Sequence, residues 1–313
     1  MWERQGFNNS IPKFFKLLSI LIPVYNYDVT HLVTELRRQA EDLGELYEIC
    51  LLDDASDERF KVRNRVLSHK TNVRYEELPQ NIGRSAIRNR LVEMAQYDYL
   101  LFMDCDSGVV MPHYLQTYVK ALHPQRLLYG GRAYLPKPPS DPQYLLHWHY
   151  GRQREQQDFL ERQKNPYHSF MTNNFLIPKF IFAIITFDES LRTYGHEDTL
   201  FGMELAQKNI EIQHLNNPLL HLGLESTAVF LSKTKMAVYN LAQLQQQGKS
   251  VETRLSKTYS QISRLKLLFV ARLGLKLLRP FIQKQLQQPK LVDLRYLDLY
   301  KLDLFIEAMQ REA

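Results

Sequence analysis

The stretch Tyr99-Leu100-Leu101-Phe102-Met103, followed directly by Asp104-Cys105-Asp106, decides the fold. An apolar run without polar alternation is typical of a strand buried on both faces of a sheet. Open α/β sheets bind ligands beyond the carboxyl ends of such strands. Mg2+ and Mn2+ take oxygen ligands from one or two carboxylates and from substrate phosphates. Asp104 and Asp106 are therefore candidate ligands for a cation held against a diphosphate, although Asp-x-Asp in surface loops usually serves only solubility.

Strands and helices alternate on both sides of this run. The pattern predicts strands at residues 17–24, 47–52, 72–77, 126–134, 170–182 and 210–215. It predicts helices at residues 29–43, 58–68, 84–96, 143–163 and 197–208. Strands separated by helices of this length imply right-handed crossovers and parallel pairing. The predicted fold class is therefore α/β, a mostly parallel sheet flanked by helices.

The charge of the chain is unevenly distributed. Its 313 residues include 40 basic and 34 acidic residues, and nine of the basic ones lie between Arg254 and Lys290, where no acidic residue occurs. The remainder has 31 basic against 34 acidic residues, so it is slightly acidic. The basic character thus belongs to the C-terminal segment, and it does not indicate a nucleic-acid partner.

The basic segment 254–290 contains an amphipathic pattern. Helical spacing from Arg264 to Pro280 puts basic residues on one side and mostly apolar residues on the other. The basic side consists of Arg264, Arg272, Lys276 and Arg279. Such a helix can lie in a membrane interface, held by apolar burial and anionic lipid. It can equally pack against the rest of the chain or a partner with its basic edge in water, and both interpretations stay open.

Cysteine usage and hydropathy bear on location. Cys50 and Cys105 lie in or just after predicted strands, which indicates buried thiols in a reducing compartment. Residues 1–16 lack the apolar core of a signal peptide, and no apolar stretch reaches the roughly 18 residues of a membrane span. We expect a cytoplasmic protein, located at the inner face of the plasma membrane if the basic segment binds lipid.

Two loops follow the first two predicted strands at the same edge of the sheet as Asp104. They are Pro23-Val24-Tyr25-Asn26 and Asp53-Asp54-Ala55-Ser56. A carboxylate there can accept a hydrogen bond from a pyrimidine N–H, and an aromatic ring can stack on the base. Asx-turns and loop caps explain Asp53 and Ser56 equally well. No Gly-x-Gly-x-x-Gly follows the first strand, so the dinucleotide-binding fingerprint is absent.

Three further motifs carry candidate residues. The helix that begins after Asn81-Ile82-Gly83 has arginines at Arg84 and Arg88, which can attract an anion, although a charge run is more often plain surface.

Glu197-Asp198 places adjacent acids at a helix start. Their mutual repulsion can shift the pKa of one of them toward a useful basicity, or both can simply interact favourably with the helix dipole. His221 is either structural or a third ligand for a manganese-like ion.

Taken in order, these motifs resemble glycosyltransferase family 2, whose members are inverting enzymes of the GT-A fold. The likeness spans about residues 17–225. The segment from Ser19 to Asn26 resembles the opening strand of the family, and Asp53-Asp54-Ala55-Ser56 resembles its Asp-Asp-Gly-Ser loop with alanine in place of glycine. The segment from Asn81 to Asn89 is similar to the donor-side helix, with its alanine one place early. Phe187-Asp188-Glu189 with Gly195-His196-Glu197-Asp198 resembles the acceptor-side segment.

The resemblance implies roles for these residues. The nucleotide-sugar would contact Pro23, Tyr25, Asp53, Asp54, Asn81, Arg88 and Asp104. A Mn2+ or Mg2+ ion would be held by Asp104, Asp106 and His221. Asp198 would be the catalytic base, and Glu197 would bind the acceptor or the donor sugar.

The resemblance also implies a domain organisation and an activity. Residues 1–225 would form the catalytic domain, with a nucleotide-sugar half at about 17–107 and an acceptor half at about 108–225, and residues 226–313 a helical C-terminal region. The implied activity is metal-dependent transfer of a sugar from a nucleotide-sugar, namely a UDP-sugar, to an acceptor. The implied acceptor is a saccharide or a lipid-linked saccharide in surface glycan synthesis. The alternatives are a sugar-phosphate nucleotidyltransferase and a non-catalytic glycan- or nucleotide-binding relative.

Overall fold

The computed structural model describes residues 17–190, 194–249, 251–287 and 293–310. The expectations for residues 1–16, and for residues 288–290 at the end of the basic segment, lie outside the described residues. The strands are β1 (Leu17–Val24), β2 (Leu46–Asp53), β3 (Val73–Glu77), β4 (Tyr99–Met103), β5 (Ser107–Gly108), β6 (Arg126–Tyr129), β7 (Arg132–Ala133), β8 (Asn174–Pro178), β9 (Glu211–His214) and β10 (Leu219–His221). The helices are α1 (Thr30–Leu43), α2 (Glu58–Asn64), α3 (Arg84–Met94), α4 (Tyr114–Ala121), α5 (Leu145–Tyr150), α6 (Phe159–Lys164), α7 (Lys179–Phe182), α8 (Glu197–Gln207), α9 (Thr227–Gln246), α10 (Arg254–Arg264), α11 (Leu268–Gln287) and α12 (Leu294–Met309).

The central sheet has seven strands in the order β3-β2-β1-β4-β8-β6-β9. Neighbours from β3 through β4 pair in parallel, as do β6 and β9, whereas β8 runs antiparallel to β4 and β6. The predicted α/β class, a mostly parallel sheet flanked by helices with a helical C-terminal extension, is confirmed. Parallel pairing brings the carboxyl ends of β1, β2 and β4 to one edge, where their loops meet.

Helices cover both faces of this sheet. Leu101 of β4 packs with Leu36 of α1 on one face, while its neighbours Leu100 and Phe102 pack with Leu91 of α3 on the other. Because successive strand side chains point to opposite faces, a strand covered on both sides must be apolar at every position. Burial of each such side chain contributes about 1.5–3 kcal/mol. This is why β4 reads as an uninterrupted apolar run up to the first carboxylate.

A second, three-stranded sheet has the order β5-β10-β7. β10 pairs antiparallel with β5, which sets His221 opposite Ser107, and it pairs in parallel with β7, which sets Leu220 opposite Ala133. Its strands are two or three residues long. The small sheet therefore serves to hold three separate chain segments beside the tip of β4.

The chain from Thr227 onward is helical within the described residues. α12 packs against both α9 and α11, and Arg279 of α11 forms ion pairs with Asp303 (2.7 Å) and Glu307 (2.9 Å) of α12. Among the described helices, none is both long enough and apolar enough to cross a membrane. The proposed division into domains at residue 225 stays a prediction.

Several predicted element bounds were wrong. The predicted strand 126–134 stops at Tyr129 because the chain turns at Gly130-Gly131, where Gly131 has a φ of 95°. The predicted strand 170–182 is a strand only over residues 174–178, since α7 begins directly after Pro178. The predicted helix 58–68 is an α-helix to Asn64 and a 3-10 helix from Arg65 to His69.

The predicted helix 143–163 is broken. α5 continues into a π-helical turn at Gly151–Glu155, and α6 begins only after Asp158, whose side chain accepts from the Leu160 N–H. The break allows Gln156 to accept a hydrogen bond from the Tyr134 N–H at 3.0 Å. The predicted helix 264–280 is likewise two helices, because Lys266 has a φ of 56° and separates α10 from α11.

Candidate active site

Two hydrogen bonds join the loops after β1 and β2 at the edge of the sheet. The Asn26 N–H donates to Ser56 Oγ at 2.8 Å, and the Asp57 N–H donates to Asn26 Oδ1 at 2.8 Å. Asn26 and Ala55 both have left-handed backbone conformations, with φ of 51° and 61°. Tyr25 stands out from this pair of loops with 54% of its surface exposed. These two hydrogen bonds fix the loops, and the Tyr25 ring is exposed beside them at the edge of the sheet.

Asp53 and Asp54 both orient backbone in this region. Asp53 is fully buried, and its carboxylate accepts from the Ser56 N–H (2.7 Å) and from the Tyr75 hydroxyl (3.1 Å). Asp54 accepts from the Ile82 N–H (2.7 Å) and the Gly83 N–H (3.1 Å). Burial raises the pKa of Asp54 above its ordinary value, and the two amide hydrogen bonds only partly oppose this. The turn interpretation therefore describes the geometry of Asp53 and Ser56, whereas the Asp54 carboxylate binds the distant backbone just before α3.

The start of α3 joins the two halves of the site. Asn81 Nδ2 donates to the Asp54 carbonyl at 3.1 Å, Arg84 Nη1 lies 3.2 Å from Glu197 Oε1, and Arg88 Nη2 lies 2.9 Å from Asp104 Oδ1. Arg88 is buried, so the plain-surface interpretation is wrong for that residue. A helix start of this kind, with two arginines aimed at separate carboxylates, is a cationic surface for an anion.

Asp104 is held by two arginines. Besides Arg88, Arg132 donates to its second carboxylate oxygen at 3.2 Å, and Arg132 also pairs with Glu155 at 3.1 Å. Glu155 in turn accepts a hydrogen bond from the Tyr134 hydroxyl. The sequence analysis missed Arg132, Tyr134 and Glu155. The double glycine before Arg132 was a possible signal of a turn into the site, whereas Glu155 carries no local signal.

Asp106 pairs with His221. Its Oδ2 lies 3.4 Å from His221 Nδ1, because the β5–β10 pairing sets these two segments side by side. Burial by itself would raise the pKa of Asp106, but the hydrogen bond and charge of His221, with the charges of Arg132 and Arg84, hold it below its ordinary value. Gly223 lies so close to Asp106 that a Cβ there would sit 2.8 Å from its Cγ.

The side chains around Asp106 can be tested against a divalent cation. Within the described ranges, no three His, Cys, Asp or Glu side chains are grouped as a metal site. His221 Nε2 is nevertheless buried without a hydrogen-bond partner among the described residues. Carboxylate oxygen and neutral imidazole nitrogen both suit a manganese-like ion whose other ligands come from phosphates, and the His221 nitrogen that faces Asp106 is Nδ1. Asp106 and His221 therefore fit such an ion, while both oxygens of Asp104 are engaged by arginines.

Glu197 and Asp198 have opposite electrostatic environments. Burial opposes ionisation of Glu197, but the charges of Arg84 and Arg88 outweigh it and lower its pKa. Burial and the neighbouring charge of Glu197 raise the pKa of Asp198 to about 6, although Thr199 donates to Asp198. The pKa values of the two adjacent acids are thus shifted in opposite directions. Glu197 stays ionised, whereas Asp198 can take up a proton near neutral pH.

Both cysteines have protonated thiols. Burial raises the pKa of Cys50 to about 12, and burial together with the charge of Asp106 does the same for Cys105. Neither forms a disulfide. Cys105, although it stands between the two aspartates, is therefore a packing residue and not a nucleophile.

Comparison with known proteins identifies similar chains. The family described as Glycosyl transferase family 2 matches residues 19–182, more than half of the chain. An uncharacterised glycosyltransferase of Haemophilus influenzae is 33% identical over 97 residues, covering 30% of this chain and 37% of that protein. A hyaluronan synthase of Pasteurella multocida is 24% identical over 220 residues, covering 60% of this chain and 22% of the synthase. The chain thus spans well under half the length of these relatives.

A solved structure shares the fold. The mannosyltransferase PcManGT from Pyrobaculum calidifontis, in complex with GDP-Man and Mn2+, aligns with a TM-score of 0.59 at 12% identity. The alignment covers 95% of this chain and 87% of that one. At this identity the likeness concerns the arrangement of strands and helices.

Proposed function

The chain belongs to glycosyl transferase family 2, and from this premise we propose that it transfers a sugar from a UDP-sugar to a saccharide with inversion at the anomeric carbon. The observation that carries the proposal is the pair Glu197 and Asp198, of which only Asp198 has its pKa raised, to about 6. A base with that pKa is deprotonated at neutral pH and can still accept a proton from an acceptor hydroxyl.

The donor cleft would lie across the carboxyl edge of β1, β2 and β4. Pro23 and Tyr25 would contact the nucleobase, with Asp53 and Asp54 shaping the loop beneath it. Asn81, Arg88 and Asp104 would line the cleft toward the diphosphate. The guanidinium of Arg88, already paired with Asp104, supports this assignment because it can exchange a carboxylate for a phosphate of the same charge.

A divalent cation, Mn2+ or Mg2+, would be held by Asp106 and His221. The chemistry that such an ion supplies is neutralisation of the charge on the departing diphosphate. Asp104 would join them as a ligand once the diphosphate draws Arg88 and Arg132 away from it. The support for this arrangement is the ionised Asp106, whose Oδ2 lies 3.4 Å from His221 Nδ1, together with the Nε2 of the same ring, which has no hydrogen-bond partner among the described residues.

The transfer itself needs one displacement. Asp198 would take the proton of the acceptor hydroxyl as the acceptor oxygen forms a bond to the anomeric carbon. The bond from that carbon to the diphosphate oxygen breaks at the same time, and its electron pair leaves with the diphosphate. Glu197, kept ionised by Arg84, would bind a hydroxyl of the acceptor or donor sugar. A single displacement inverts the configuration, so no covalent enzyme intermediate is formed.

The acceptor and the location belong to the same proposal. The acceptor would be a saccharide or a lipid-linked saccharide of surface glycan synthesis, bound by the segment of residues 108–225. The protein would act in the cytoplasm, at the inner face of the plasma membrane. The two alternative functions make different products, because a nucleotidyltransferase would release pyrophosphate from a nucleoside triphosphate and a binding relative would release nothing.

The deciding experiment is a donor screen. Purified protein is incubated with a saccharide acceptor and with UDP-sugars or, as a matched set, with GDP-mannose. Each mixture contains Mn2+ or a chelator, and the nucleoside diphosphate released is measured. We expect Mn2+-dependent release from at least one UDP-sugar, and inversion in the isolated glycoside. Asp198→Asn should lower transfer about a thousandfold while donor affinity changes only a few-fold. Retention of configuration, or activity on GDP-mannose alone, would contradict the proposal.

A further inference from the structure

The face of α11 that points away from the protein is apolar. Its residues, here called the outer apolar face, are Phe269, Val270, Leu273, Leu277 and Leu278, all exposed. Phe281 is partly exposed, but its ring packs against Tyr296 of α12. Phe269 and Leu277 have 76% and 74% of their surfaces in solvent. Single exposed apolar residues are ordinary, but a contiguous cluster of large ones marks an interaction site.

The outer apolar face is not the core-packing side of the helix. Leu275, Ile282 and Leu286 of α11 are buried and pack against Leu297 and Ile306 of α12. At 100° per residue these buried positions lie opposite the outer apolar face. α11 is therefore already anchored on one side, and none of the residues of the outer apolar face belongs to the buried clusters of the described chain.

Positive charge borders the outer apolar face along one edge, at Arg272 and Lys276, and at its C-terminal end, at Lys284. Arg272, Lys276 and Lys284 are exposed, and within the described part of the chain none of them pairs with an acidic side chain. No acidic residue occurs from Arg254 through Gln287. Arg279 is different, since it is bound to Asp303 and Glu307. The expectation that Arg279 belongs to the free basic edge was wrong, because the fold uses it to dock α11 on α12.

We propose that the outer apolar face docks on the surface of an anionic bilayer, with α11 lying in the plane of the interface. The apolar side chains enter the boundary between headgroups and acyl chains, while Arg272, Lys276 and Lys284 contact anionic headgroups. The charge pattern favours an anionic bilayer over a second copy of the chain as the binding partner of this face. A second copy of the chain would bring two basic, acid-free helices together, which like-charge repulsion opposes. The four basic residues within α11 also distinguish an interfacial helix from a spanning one.

Vesicle flotation tests this docking without reference to catalysis. The whole protein is mixed with vesicles of phosphatidylglycerol and phosphatidylcholine, or of phosphatidylcholine alone, at low and high salt. We expect binding to the anionic vesicles only, weakened at high salt. The double variant Phe269→Ser with Leu277→Ser should lower binding at least tenfold. Since both side chains are exposed, the variant should keep its fold by circular dichroism.

Matched controls separate the surface from general effects. Leu160→Ser removes a 61% exposed apolar side chain on α6, and it should leave vesicle binding unchanged. The triple variant of Arg272, Lys276 and Lys284 to Gln should weaken binding roughly tenfold or more. The same change at the exposed Lys70, Lys120 and Lys208 should have a small effect.

Two results would overturn the proposal. One is absence of the intact protein from the floated anionic fraction, or equal flotation of all variants. The other is concentration-dependent dimerisation that the Phe269 and Leu277 substitutions abolish in the absence of vesicle binding, which would assign the face to a second copy. Nucleoside diphosphate release in solution is measured on the same samples, so that failure of docking and failure of the proposed transferase function are read separately.

Discussion

Arg84 and Glu197, 113 residues apart in the chain, form an ion pair of 3.2 Å that joins the first residue of α3 to the first residue of α8. Arg84 Cζ also lies 4.6 Å from the centre of the Tyr194 ring. The contact keeps Glu197 ionised and so leaves Asp198 as the group whose pKa is raised. The difference in pKa between the two acids therefore depends in part on a residue of α3.

The first prediction concerns pH. The pKa of Asp198 is raised to about 6, and in the proposed mechanism its ionised form is the active one. kcat/KM should therefore be flat above about pH 7 and fall about tenfold per pH unit below about pH 6. The measurement is the rate of nucleoside diphosphate formation with acceptor at saturating Mn2+. A rate that stays constant down to pH 4.5 would remove Asp198 from the role of base.

The second prediction concerns Arg84. Arg84→Gln removes a positive charge beside Glu197, and this raises the pKa of Glu197, since the positive potential that stabilises its ionised form is lost. Because Glu197 and Asp198 interact, the acid limb belongs to the pair and follows this change. The acid limb of kcat/KM should move upward by about half a pH unit or more. Arg84→Lys, which keeps the charge, is the control and should leave the limb close to its original position. A downward shift in Arg84→Gln would contradict the electrostatic coupling.

The third prediction concerns Gly223. A Cβ at this position meets the Asp106 carboxylate, so Gly223→Ala should displace that side chain while the fold stays intact. We expect the Mn2+ concentration for half-maximal activity to rise at least about tenfold, the scale at which second-shell changes act on metal affinity. Gly274→Ala, where a Cβ meets nothing within 4 Å, is the matched control. An unchanged Mn2+ requirement would separate Asp106 from the cation.

The fourth prediction concerns Ala55, whose φ is 61°. A left-handed conformation costs an L-residue roughly 1–2 kcal/mol, while glycine loses roughly 0.5–1 kcal/mol more in backbone entropy on folding. Ala55→Gly should therefore raise the free energy of unfolding by about 0.5 kcal/mol, measured by urea titration. Ala206→Gly, within α8, should instead lower it by about 1 kcal/mol. Equal losses in both variants would show that Ala55 is unstrained.

The fifth prediction concerns Arg162, which is buried beneath the Gly130-Gly131 turn. Its guanidinium donates to the carbonyls of Gln157 (2.7 Å), Leu215 (2.7 Å) and Gly130 (3.1 Å). Arg162→Met leaves these acceptors without their donor, and it should lower the free energy of unfolding by at least about 2 kcal/mol.

The control for that variant is Arg126→Met. Arg126 is the first residue of β6, the strand that leads into the Gly130-Gly131 turn, and it forms a partly exposed ion pair with Glu211 of β9. Loss of this ion pair should lower the free energy of unfolding by less than about 1 kcal/mol. Similar losses for both variants would mean that Arg162 does not brace the turn that carries Arg132 into the site.

The sequence could predict those parts of the site that follow a strand or begin a helix. Asp53, Asp104 and Asp198 each stand at such a boundary, and a change from apolar periodicity to adjacent acids is visible without coordinates. Glu155 could not be found in this way, because it lies in a π-helical turn that the pattern assigns to one continuous helix. Helical spacing does not reveal which turn of a helix another element will distort.

The sequence by itself determined the α/β architecture, the edge of the sheet where the candidate residues collect, and the basic character of the C-terminal segment. These follow from periodicity and composition, which are local properties of the chain. Only the tertiary structure decided that His221 faces Asp106, that Arg132 contacts Asp104, and that Arg279 docks on α12. The physical reason is that each of these pairs joins residues distant in the chain, and their meeting depends on strand pairing and helix packing that no local pattern encodes.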